Sequence, residues 1–370
     1  MSARTSKLVS NPASPLLPAL KFRFWGVLAL AGCLAALAEA GESLPARALA
    51  VQGASPAPRA RVVVVEEPGA IVSFNPRLEV IRRMVDRGLT NLTLKATIQE
   101  AWRSLVCPED VVGLKVFSAP GATSGTRPAV VEGVIQSLLE AGHSPSRVIV
   151  WDRQLGHLRL AGYFALAERY GIRIEASTET GYDADHSYES AFMGQPVWGD
   201  HEFGQRGPGV GRKSYVSKLV TRQMTKIINI TPLLNHNFAS VSGNLFSLAL
   251  GSVDNTVRFI DDARELALAV PEIYALPVLG DRVVLNIVDA LLAQYHGEER
   301  SLLHYTVVLD QLRFSTDPVA LDVLSIEELE RQRALVGAPA VKPNLQLYQN
   351  ATLVEIGTSD PQSIQVEWAK

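Results

Sequence analysis

The chain has 370 residues, 47% of them hydrophobic, with 35 basic against 38 acidic side chains and a formal net charge of −3. That length and apolar content can bury a large core, which excludes a disordered chain, and the acidic balance lacks the basic stripe that phosphate backbones demand, which argues against nucleic acid as a partner. With only Cys33 and Cys107 available, neither a disulfide framework nor a cysteine-rich zinc or iron–sulfur centre can be built.

At the N-terminus, Lys21 and Arg23 precede an uncharged run from Phe24 to Ala38. It is too short for a membrane-spanning helix and reads as a secretory signal over residues 1–40. Within it, Leu30-Ala31-Gly32-Cys33 resembles the bacterial lipobox, whose cysteine is acylated and becomes the first mature residue. Ordinary cleavage at Ala36-Leu37-Ala38 or Ala38-Glu39-Ala40 is the competing reading. Either way the protein is exported, to the periplasm as a lipoprotein held to the membrane by its anchor, or as a soluble secreted protein. Residues 41–60, with Pro45, Pro56 and Pro58, have linker composition.

The folded body is expected over residues 61–370. Arg61–Val65 is a continuous β-branched run, the signature of a strand covered on both faces. Helical spacing follows over Phe74–Arg87 and Ala96–Leu105, the second stopped by Pro108. Val111–Phe117, the loop Ser118–Pro128, a helix over Ala129–Ala141 and a strand over Arg147–Trp151 make a βαβ unit, which joins parallel strands. The loop feeds a helix N-terminus able to hold an anion, although no Walker lysine follows its glycines. A helix over Leu155–Tyr170 and a strand over Ile172–Ala176 continue the alternation. Thr178–Gly211 breaks it with a long glycine-rich stretch, read as a flap that could bring Arg212 and Lys213 over an anionic ligand. Strands resume at Lys226–Ile230, Val283–Val288 and Thr306–Leu309. The predicted architecture is a doubly wound, mostly parallel α/β sheet with helices on both faces, as one body or two lobes.

Strand ends locate the expected site. Asp152, Asp289 and Asp310 each follow an apolar strand, and the strand beginning at Lys226 runs on to His236. In open α/β sheets, ligands bind beyond the carboxyl ends of the strands. Asp152, His236 and Asp289 are therefore candidate ligands for a divalent metal, and His236, Lys115 and Asp289 candidate catalytic groups: His236 as acid, base or ligand, Lys115 neutralising substrate charge. Each aspartate read singly is more commonly a turn former or helix cap. Asp317 has that same double reading, because Pro318 can open a helix over Val319–Arg333 that Asp317 would cap. Asp322 lies one turn into that helix and either reaches the cleft or offsets the dipole.

Several of these residues carry a family resemblance. Val111–Arg153, the stretch containing His236, Val241-Ser242-Gly243 and Gly251–Thr256, and the run Ser315–Asp322 together resemble the DUF362 family of uncharacterised bacterial proteins, over roughly residues 60–370. The resemblance implies an α/β fold and exported relatives, with no settled reaction. It draws attention to Thr126, Arg127, Ser242, Asn244 and Asp317 as ligand-binding candidates. This chain departs from the family pattern where an Asn is replaced by Phe117, a His by Arg127, and two Lys positions by Leu234 and Phe246, with Ser247 in place of the Asn after the second. Two readings stay open: an exported enzyme with a cleft for a metal or small anionic metabolite, and a lipid-tethered binding protein using the same cleft without catalysis.

Overall fold

The computed structural model describes residues 60–190 and 211–369. The secretory run with Cys33, the linker and the middle of the flap, 191–210, lie outside the described residues.

One sheet organises the body. Its strands are β1 (Ala60–Glu66), β2 (Val112–Val116), β3 (Val148–Asp152), β4 (Arg173–Ala176), β5 (Lys226–His236), β6 (Ser240–Val241), β7 (Val283–Gln294), β8 (Thr306–Ser315) and β9 (Ile364–Ala369). They lie in the order β9-β1-β8-β7-β5-β2-β3-β4, with β6 folded back on β5. All neighbours run parallel except β8, which is antiparallel to both β1 and β7, and the short β6, which is antiparallel to β5.

Strand periodicity separates two cores. Val63 and Val65 enter one, under helices α1 (Leu78–Thr93) and α2 (Pro128–Glu140). Val62 and Val64 enter the other, under α3 (Asn244–Ser252), α4 (Ala263–Tyr274), α5 (Pro318–Leu335) and α6 (Leu345–Leu353). Because consecutive side chains leave a strand on opposite faces, an unbroken run of valines is what a sheet covered on both sides requires. The doubly wound, mostly parallel α/β architecture is thus observed in a nine-stranded sheet, beside two small two-stranded ribbons.

Local differences have physical causes. The first helix begins at Leu78 rather than Phe74, because Ser73 and Phe74 take positive φ in a turn closed by pairing of Ile71–Val72 with Asn75–Pro76. The helix expected over Leu155–Tyr170 is two pieces, Leu155–Leu160 and Phe164–Tyr170, interrupted where Gly162 takes φ +89. Both flanks of the flap form an antiparallel ribbon, Tyr182–Glu189 with Lys213–Ser217. Here Arg212 and Lys213 reach Glu189, at 3.4 and 3.9 Å, instead of standing ready for a ligand. No described helix is long and apolar enough to cross a membrane.

Candidate functional site

At the carboxyl ends of β2 and β3, Lys115 and Asp152 form a buried ion pair of 2.9 Å. The three ammonium protons of Lys115 have three acceptors: Asp152 Oδ1, the Val116 carbonyl at 2.6 Å and Ser247 Oγ at 3.1 Å. Asp152 accepts from Lys115 and the Arg153 amide on Oδ1, and from the Ser118 amide and hydroxyl on Oδ2. Burial pushes the Asp152 carboxyl up, but the Lys115 charge and the Ser118 donors outweigh it and hold the group below its ordinary value. The Lys115 side chain runs beneath α3, where a Cβ on Gly251 would stand 2.2 Å from Lys115 Cε. Gly251 is what lets helix and lysine share that space.

A second knot joins α2 to β7. Asp289 Oδ2 accepts the Arg127 amide at 2.9 Å, and its Oδ1 accepts Arg127 Nη1 at 2.8 Å. At the helix N-terminus able to hold an anion, a carboxylate of the protein thus meets the amide of Arg127, the residue just before α2. Thr126 is structural too: its hydroxyl donates to the Ile230 carbonyl and accepts from the Phe117 amide. Asp289 lies in the middle of a strand that continues to Gln294, not at its end. Asp310 sits inside antiparallel β8 at positive φ, its carboxylate receiving the amides of Gly69 and Ile71.

The third knot starts α3. Asp322, on α5 and 1% exposed, accepts the Asn244 amide, the Asn244 side chain and the Leu245 amide. Burial pushes its carboxyl up to about 7 against the pull of those donors. Asn244 thereby serves the helix start, while the Ser242 hydroxyl is buried without a protein partner. Asp317 caps α5 through the Ala320 amide and accepts the Thr358 amide. Of its two readings, the cap is the one observed.

His236 closes β5. Its Nδ1 accepts the amides of Phe238 and Ala239 at 3.2 and 3.0 Å, so the neutral ring carries its proton on Nε2. Its centroid lies 4.2 Å from that of Phe246, which meets Phe117 edge-on at 6.3 Å. Burial in this aromatic setting lowers its pKa to about 4, against the smaller pull of Glu298 and Asp261. Metal ligation through Nε2 would move the proton to Nδ1, against two incoming N–H groups. Asp152, His236 and Asp289 are thus each committed elsewhere, and among the described residues no three His, Cys, Asp or Glu side chains group as a metal site. That corrects the expected metal set.

Two features escaped the sequence reading. A polar row crosses the sheet, with Lys115, Asn229, Asn286 and Ser315 on adjacent strands in register. Arg153 is the other. It stands one residue past the end of β3, donates to Thr256 Oγ1 at 2.6 Å and neighbours Tyr182. It is only partly buried, its Nε has no partner, and it has no carboxylate partner among the described residues. Its only signal was its place just beyond a strand end.

An α/β sheet with buried ionic knots and, among the described residues, an arginine without a carboxylate partner beside them is the class this geometry defines. The chain belongs to DUF362, a family described as a domain of unknown function, whose pattern matches residues 112–327, more than half of its length. No curated protein matches it. A crystal structure of a Thermotoga maritima protein is similar at 11% identity and a TM-score of 0.36, the match covering 77% of this chain and 60% of that one.

Proposed function

We propose that this DUF362 chain is an exported binding protein for a small anionic metabolite, without catalytic activity, and that Arg153 receives the anion. The observation that carries the reading is the contrast in charge matching: Lys115 and Arg127 each face a buried carboxylate, whereas Arg153 donates to Thr256 and neighbours Tyr182 and makes no ion pair among the described residues. A guanidinium at the carboxyl edge of a parallel sheet, with an unused N–H, suits a carboxylate or phosphate.

Saturation of the other groups supports the loss of chemistry. A general acid or base needs a free lone pair or proton at the reacting atom, and Asp152 with four donors has none to spare. The residues that depart from the family pattern point the same way: Phe117, Leu234 and Phe246 share one hydrophobic core, and Phe246 stacks on His236.

Isothermal titration of the purified full chain with inorganic phosphate, succinate and citrate tests this. At least one is expected to bind, and Arg153→Met is expected to weaken it about tenfold or more, the loss of a charged hydrogen bond, with an unchanged melting temperature. Binding of none, or equal binding by Arg153→Met, rejects the proposal.

A further inference from the structure

The two edges of the sheet are finished differently. β4 is four residues long and carries Arg173 and Glu175, both features that discourage further pairing. β9 is six residues long, without proline, and pairs with β1 in unbroken register from Ile364 opposite Ala60 to Ala369 opposite Val65. Its outer side has no strand partner among the described residues. Ile364, Val366 and Trp368 alternate onto the face of Val62 and Val64, where α5 leaves them uncovered: Val366 is 40% and Trp368 59% exposed. Alongside runs a groove of about 340 Å³ lined by the apolar Val64, Leu324, Val366 and Trp368 and by the charged Arg313, Glu327, Glu328 and Arg331. The only carboxylate on the strand, Glu367, is turned to the other face and paired with Arg61 at 2.6 Å, so the strand itself puts no charge on its groove side. A regular edge of this kind is a template for another strand.

We propose that β9 pairs antiparallel with β9 of a second copy of this chain, across a two-fold axis at Val366. The strand is self-complementary in that register. Ile364 faces the partner's Trp368 and Val366 faces the partner's Val366, an apolar ladder on the groove side. On the opposite side Gln365 faces the partner's Glu367, so an amide donor meets a carboxylate. Sliding the axis to Glu367 would set two carboxylates face to face, a like-charge pair that costs stability. The joint continues one sheet through both copies and merges the two grooves over the seam, removing both tryptophans from water. Glu327 and Arg331 give the groove both signs, so no field of one charge opposes the approach.

The test is sedimentation velocity of the full chain, with Cys33→Ser and Cys107→Ser as the background for cross-linking. A dimer is expected, with Val366→Lys and Trp368→Glu each shifting it to monomer while the circular dichroism melt stays cooperative. In the cysteine-free background, Val366→Cys is expected to give a disulfide-linked dimer under mild oxidation, since residues on the axis are within reach of each other. Leu160→Cys, at an 84% exposed position away from the seam, is the control and is expected to remain monomeric on a denaturing gel. A monomeric parent chain, or equal cross-linking by Leu160→Cys, overturns the proposal.

Discussion

Lys115 and Asp152 are worth most as a pair and least as individuals. Both are buried, Lys115 completely and Asp152 to 5% exposure, and the cost of burying each charge is offset only by the other and by the hydrogen bonds around them. Lys115→Met is therefore expected to destabilise the fold by about 3–5 kcal/mol by stranding a carboxylate. The double variant Lys115→Met, Asp152→Asn should lose less than the sum of the singles; additive losses in denaturant titrations would show that the pair is not coupled. His236 makes a pH-dependent contribution. Its folded pKa of about 4 lies below the ordinary 6.5, so between those values the unfolded chain takes up a proton that the folded one refuses. Stability is complete above pH 6.5 and falls as pH drops towards 4, by roughly 3 kcal/mol at 1.36 kcal/mol per unit. His236→Asn, which still offers an acceptor to the Phe238 and Ala239 amides, should flatten that part of the acid limb. The candidate residues themselves were legible, because charged and imidazole side chains beside apolar strands stand out. Their partners were not: Arg127 and Asp289 are 162 positions apart and no local pattern links them.

Helix α3 is completed by a side chain from another helix. Its first turn presents amides that would otherwise be unpaired in the core, and Asp322 of α5 supplies the acceptor. Gly243 makes the approach possible, since a Cβ there would lie 2.2 Å from Asp322 Oδ1. Here the sign of the pH effect is opposite to that of His236. A folded pKa of about 7 against an ordinary 3.8 means that the folded state keeps a proton the unfolded chain has released, so stability falls as pH rises from 4 to 7. Asp322→Asn should remove that decline, while costing about 1 kcal/mol at pH 5 for the lost Leu245 amide partner. An unchanged slope in thermal melts across this range would place the titration elsewhere. At this scale the sequence reading did well where the signal is local, as with Asp317 capping α5 ahead of Pro318. It failed where an element's end is decided by its neighbours. β7 runs on past Asp289 because β5 and β8 continue beside it, and a strand extends as far as its partners offer hydrogen bonds.

Across the whole molecule, the order of strands decides what the ends of strands can do. β8 runs against its neighbours, so Asp310 does not join Asp152 at a shared mouth, and its carboxylate instead ties the loop after β1. The alternation of apolar strands and amphipathic helices determined, from sequence alone, that the body is a doubly wound α/β sheet, because covering both faces of parallel strands demands continuous apolar runs. The sequence also marked Lys115, Arg127, Asp152 and Asp289 as polar residues beside apolar strands. Only the tertiary structure decided that they satisfy one another in buried knots and that, among the described residues, Arg153 makes no ion pair and the outer side of β9 has no strand partner. Those outcomes depend on contacts between residues far apart in the chain, set by strand order and register, which the local periodicity of a sequence does not encode.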